Sequence, residues 1–170
     1  MRLVFAVGSV ALLLNLIYVH AEEKYFDCKR ITRWTDCIAV PLASIEEDRD
    51  AKSFSKPASE TAHVYIVRPY TQEPKAKSEV YVDGKFIGVL GPLTFLSFEV
   101  PAGRHAVRVR TDQEDADIEL EAHSEHNLFV QYQLNQWLGR ITGQTKLLSD
   151  EDGQAKVNKA KRALNVATPS

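Results

Sequence analysis

Four histidines, His63, His105, His123 and His126, lie beyond the first 21 residues. Imidazole is the side chain that most often ligates metals or moves protons near neutral pH, so these four set the range of chemistry to consider. Only His123 and His126 are close in sequence, flanking Ser124-Glu125, a spacing that would suit a surface metal clip. A closed zinc site needs about four ligands, and this spacing supplies two. The chain has no Gly-x-Gly-x-x-Gly or phosphate-cradling loop, no Gly-x-Ser-x-Gly nucleophile turn and no His-Glu-x-x-His pair. The expectation is therefore a protein without catalytic residues, metal or cofactor. The alternative is an envelope hydrolase or metal-dependent enzyme that uses His63, His105, His123 or His126. Two of these histidines meeting a carboxylate in one cleft would favour the enzyme. A small-ligand carrier with a pocket inside a barrel is a second alternative.

The cysteines are Cys28 and Cys37, both in the N-terminal part of the chain. They lack the nearby histidines of a zinc site and the two-residue spacing of a redox pair. If the chain is exported, a disulfide between them is the natural reading, worth about 2–3 kcal/mol through loop entropy. Export is indicated by residues 1–21. Arg2 provides a positive start, Val10 to Leu14 with Leu16-Ile17 provides the apolar stretch, and Val19-His20-Ala21 provides a cleavage site. After cleavage the protein is expected to be periplasmic or secreted and not integral to the membrane; the alternative is an uncleaved anchor, for which the apolar stretch from Leu3 to Val19 is short and interrupted by Asn15. Cys28 follows Tyr25-Phe26-Asp27, which is no lipidation signal.

Aromatic and arginine side chains are the better lead to function. Tyr65, Tyr81, Phe86 and Trp137, with Arg68 and Arg140, have the composition of a recognition surface if they share an outer face. What must position them is a series of short strands with period-two alternation. His63 to Arg68 reads as a strand that Pro69 ends or marks as an edge, and Glu79 to Leu90 reads as a hairpin turning at Asp83-Gly84. That register sets Tyr81 opposite Phe86 and Val80 opposite Ile87. Leu96, Phe98 and Val100 alternate in the next strand, and Pro101-Ala102-Gly103 reads as a second hairpin turn, with His105 just beyond it bonding to the hairpin. The returning strand places Val107 and Val109 inside and Arg108 and Arg110 outside. Ile118 and Leu120 then point inward, so pairing would set the outer arginines against outer glutamates. His126 to Leu134 and Ile141 to Leu148 supply further strands, and Ser149 caps a helix with Val157, Ala160 and Leu164 as its apolar stripe.

About seven strands without intervening helices predict an all-β, mainly antiparallel β-sandwich with a C-terminal helix. The organisation expected is a signal at 1–21, a disulfide-closed segment at 22–42, a polar linker or loose helix at 43–61, the sandwich at 62–148 and the helix at 149–166. A chain of 170 residues with 44% hydrophobic and 26% charged residues fits one such domain. A net charge of −2, made one unit more acidic when Arg2 is removed, excludes the basic excess that nucleic-acid binding needs.

Three segments in order, Ala62 to Pro69, Val80 to Gly88 and Phe98 to His105, resemble an uncharacterised family of bacterial envelope domains, often lipoproteins, similar to PEGA-type β-sandwich modules. The resemblance implies a β-sandwich at the cell envelope and carries no catalytic residue across. The chain departs from it in lacking the lipidation cysteine and in having Ser124-Glu125-His126 where a glycine-containing turn is expected. The function expected is binding of an envelope component or a protein partner through Tyr81, Asp83, Gly84, Phe86 and Arg104.

Overall fold

The computed structural model describes residues 37–166. The signal and Cys28, and with it the Cys28–Cys37 pairing, lie outside the described residues.

Among the described residues nine strands, where about seven are expected, form two facing sheets, an antiparallel-rich sandwich as the alternation predicts. In chain order they are β1 (Thr61–Arg68), β2 (Ser78–Val82), β3 (Lys85–Leu90), β4 (Thr94–Pro101), β5 (Gly103–Arg110), β6 (Asp115–Ala122), β7 (Asn127–Trp137), β8 (Arg140–Leu148) and β9 (Lys161–Arg162). One sheet runs β8-β7-β1-β4-β9 and the other β3-β2-β5-β6. Inward residues from both, among them Val64, Ile66, Leu96, Phe98, Val107, Val109 and Tyr132, make the main core. Burying each large apolar side chain contributes roughly 1.5–3 kcal/mol.

Two helices cover only the larger sheet. Helix α1 (Ile45–Ala51) is capped by Ser44 and Glu47, each side chain bonding the other's backbone N–H. The segment 43–61 is thus more than a solvated spacer. Lys52 Nζ donates to the Ala160 carbonyl, Asn127 Nδ2 to the Phe54 carbonyl and the Tyr65 hydroxyl to the Ala51 carbonyl. Helix α2 (Asp150–Lys159) is capped by Ser149, and Val157 and Ala160 join Tyr65, Val67, Phe95 and Phe129 in a second apolar cluster. The helix ends earlier than 166. Ala160 is extended, and Lys161 and Arg162 pair in parallel with Thr94 and Phe95. An open strand edge on β4 outweighs the helical propensity of these residues.

Two other expectations are corrected. Pro101-Ala102-Gly103 is a corner between sheets, because β4 pairs with β1 and β9 while β5 pairs with β2 and β6. Gly103, at φ 141°, takes the backbone that this crossing requires. Alternation within each strand is the same whether the chain returns beside itself or crosses the core, so the pattern does not distinguish the two. In the β2–β3 hairpin Tyr81 does face Phe86, but Val80 faces Gly88, with a bulge between Val80 and Tyr81. Gly88 fits there because a Cβ would lie 2.9 Å from the Leu96 side chain.

Candidate functional site

The outer face of the smaller sheet is uncovered by either helix among the described residues, and its rows are set by register. Phe86, Tyr81, Arg108 and Asp117 lie side by side across β3, β2, β5 and β6. Glu79, Arg110 and Asp115 form the next row. A groove of about 740 Å³ runs over this face, lined by Tyr81, Asp83, Gly84, Ala106, Arg108 and Asp117 among others. That volume is in the range of sites that hold ligands or partner side chains.

Internal pairing holds the face in shape. Arg108 donates to both Asp117 carboxylate oxygens at 2.7 and 2.8 Å, and the pairing keeps the arginine pKa up and the aspartate pKa down. The arginines meet aspartates rather than glutamates at these two rows, while Arg104 opposes Glu121. Arg110 stands 4.9 Å over the Tyr81 ring, and the Tyr81 ring lies 5.5 Å from that of Phe86. The Tyr81 hydroxyl donates to Glu79 at 2.8 Å, which raises the phenol pKa. Hydrogen bonds from Lys77 and then Tyr81 hold the Glu79 carboxyl low. These groups are exposed or half-buried, so solvent screens their pairing and they orient the face more than they stabilise the fold.

At one end of the groove Asp83 starts the turn at φ 50°, followed by Gly84 at φ 81°, as a tight hairpin requires. One Asp83 carboxylate oxygen accepts from the Ala106 N–H at 2.9 Å and the other lies 2.7 Å from His105 Nδ1. Partial burial raises the Asp83 pKa, but the bonds from His105 and Ala106 outweigh it and hold the carboxyl below its usual value. His105 Nε2 is 2.8 Å from the Pro101 carbonyl, so this histidine clasps the β2–β3 turn to the sheet-crossing corner.

Of the residues expected to bind, Tyr81, Asp83 and Gly84 line the groove, Phe86 packs on Tyr81, and Arg104 lies beside Glu121 near the corner. Arg108, Arg110, Asp117 and Glu119 complete the lining and were legible only as the outward half of the β5 and β6 alternation. Tyr65 and Arg68 are not part of it, being 1% exposed each. Trp137 and Arg140 sit on the other sheet, at the β7–β8 turn.

The histidines occupy three separate places. His105 is in the clasp, His123 and His126 face each other at the β6–β7 turn with ring centres 6.1 Å apart, and His63 lies on the larger sheet. No group of three metal-ligating side chains is present among the described residues. His63 Nε2 lies 2.6 Å from Ser97 Oγ, the spacing of a base and a hydroxyl nucleophile. Ser97 is only 1% exposed, however, which closes the hydroxyl to a substrate. Burial, opposed by Glu99 and reinforced by Arg162, pushes the His63 pKa below 6.5. A histidine that is kept neutral in the fold but charges in the unfolded chain makes stability fall as pH drops through the unfolded value. Urea unfolding should show stability declining below about pH 6.5 and levelling once pH passes the folded pKa; the slope should shrink in His63→Gln.

Fold and surface together define a β-sandwich whose conspicuous feature is an open, aromatic-centred sheet face. The chain belongs to the family described as "Protein of unknown function (DUF2846)", whose model matches residues 58–143. It is 28% identical over 163 residues to an "Uncharacterized protein" of Haemophilus influenzae (strain ATCC 51907 / DSM 11121 / KW20 / Rd), covering 89% of this chain and 96% of that one. No solved structure gives a significant match. No helix among the described residues is long and apolar enough to cross a membrane.

Proposed function

We propose that this protein is an exported, non-enzymatic binding module that recognises an envelope component or a protein partner through the outer face of the smaller sheet. The observation that carries this reading is the uncovered groove in which Tyr81, packed on Phe86, has Arg108 as its cross-strand neighbour and Arg110 over its ring. Tyrosine and arginine are the residues that most often dominate binding energy, and here their geometry is fixed before any partner arrives. The periplasmic or secreted location rests on the signal-like residues 1–21, as does a Cys28–Cys37 disulfide. The resemblance to envelope modules of the PEGA type supports the same location.

The test is co-sedimentation of the purified protein with cell-wall sacculi and with membrane vesicles, at low and high salt. Salt-resistant pelleting with one fraction, lost in Tyr81→Ala, is the expected result. Pelleting that is equal in Tyr81→Ala and wild type would place recognition elsewhere. Failure to pellet with either fraction would remove the envelope component and leave the protein partner.

A further inference from the structure

The larger sheet carries a second surface of different chemistry. Strand β7 outlasts β1, whose pairing with it ends at Val67↔Gln131, so from Gln133 onward β8 is its sole sheet neighbour. On the outward side of this projecting hairpin Gln131 Nε2 donates to Gln133 Oε1 at 3.4 Å, and Gln133 Nε2 donates to Asn135 Oδ1 at 3.0 Å. The amides stand at two-residue steps, about 6.8 Å apart. Their cross-strand partners are Lys146, Gln144 and Thr142. The row ends at Trp137, which is 77% exposed, opposite Arg140.

Charge separates this surface from the rest of the molecule. The chain holds 23 acidic residues, yet none lies between Asn127 and Leu148, where Arg140 and Lys146 are the charged side chains. Arg140 does reach one carboxylate from outside the hairpin, that of Glu114 on the β5–β6 turn, at 3.8 Å, too far for a good hydrogen bond. The turn itself carries Leu138 at φ 48° and 91% exposed, a left-handed position that a branched side chain occupies at a cost and, so exposed, with little packing in return.

From this geometry we infer that the outer face of the β7–β8 hairpin binds a glycan strand that bears carboxylates. An exposed indole stacks on the apolar face of a sugar ring, and beyond the buried Gln131 the half-buried amides of Gln133 and Asn135 and the exposed amide of Gln144 offer both donors and acceptors to hydroxyl and N-acetyl groups along a strand. The two cations, with no acid in the hairpin, complement carboxylates on the ligand. This surface is on the sheet opposite the groove, so its binding and that of the groove are separable: the Tyr81→Ala comparison in co-sedimentation is made in the Trp137→Ala background, where the groove alone holds the sacculi.

The test is titration of the purified protein, followed by tryptophan fluorescence and calorimetry, with peptide-free glycan strands from peptidoglycan, which carry carboxylates, and with the neutral tetramer of N-acetylglucosamine. Acidic strands are expected to bind, and Trp137→Ala to weaken them at least about tenfold, with Gln133→Leu weakening them about fivefold. Glu151→Gln, on the exposed first turn of α2, is the control for unaltered binding. The thermal midpoint of each variant separates lost contacts from lost folding. Equal affinity for the neutral tetramer would overturn the role given to Arg140 and Lys146. No binding of either glycan, or wild-type affinity in both Trp137→Ala and Gln133→Leu, would overturn the site.

Discussion

Replacing Arg68 by methionine is expected to cost about 4 kcal/mol or more, enough to bring a domain of ordinary stability close to unfolding. Arg68 ends the central strand of the larger sheet with 1% of its surface exposed and without a carboxylate in its hydrogen-bond set. Its guanidinium donates instead to the carbonyls of Gln72, Glu73 and Ala76 and, at 3.4 Å, to the Ser78 hydroxyl. Burial lowers its pKa to about 10, opposed by Tyr132 and Glu73, which leaves it charged at neutral pH. The side chain thus gathers the whole β1–β2 connection, and the Pro74 carbonyl of that loop in turn receives the Ile38 N–H. Methionine fills the volume but leaves these carbonyls unpaired, and an unpaired buried polar group costs about 1–3 kcal/mol. Arg68→Lys should rescue little, because one ammonium does not reproduce a planar fork reaching several carbonyls. Urea unfolding reads both effects. A lysine variant within about 1 kcal/mol of wild type would show that charge alone, not the fork, is what the loop needs.

Gly153→Ala is the second large effect, and its sign runs against helix propensity. Alanine in place of glycine within a helix ordinarily stabilises by about 0.8–1 kcal/mol. Gly153 lies in the middle of α2 directly over Phe129 of β7, where an added Cβ would come within 2.2 Å of the ring and 2.4 Å of the Phe129 Cβ. The second of these atoms is fixed to the strand, so the helix itself must lift. Overpacking of this kind costs about 1–3 kcal/mol, and lifting α2 also loosens Val157 and Ala160 from Tyr65 and Phe95. A net loss of about 2 kcal/mol is expected in chemical denaturation. The same change made in a Phe129→Ala background should cost clearly less, because the ring contacts at 2.2 and 2.7 Å are gone and the propensity gain remains, while the contact with the residue-129 Cβ persists. Equal losses in both backgrounds would mean that the helix is not held by this contact.

Strands were legible in the sequence because period-two alternation is a local consequence of one buried and one open face. It reads well for β5 and β6, where Val107, Val109 and Leu120 are inside and the charged residues outside. It reads less well for β1, whose last five residues are all buried because the helices cover the second face. The unbroken run from Val64 to Val67 was itself a signal of a central strand, and it would have taken Tyr65 off the list of surface aromatics. Arg68 gave no such signal, since an arginine at a strand end is nearly always solvated and its partners here are carbonyls of a loop. The sheet-crossing corner at Ala102 and the short strand β9 depend on which edges are free, a property of the assembled sheets. The groove was half legible. Tyr81, Asp83 and Gly84 stand out as hairpin residues, whereas the role of Arg108 and Arg110 follows only from the β2–β5 register.

Site-specific photo-crosslinking in the living cell tests the binding face most directly. A benzophenone amino acid at position 86 or 108, beside Tyr81 on the open sheet, should give a discrete adduct, and the same probe at exposed Glu151 on α2 should give none. Adducts of equal yield from all three positions, or from Glu151 alone, would contradict recognition through the smaller sheet.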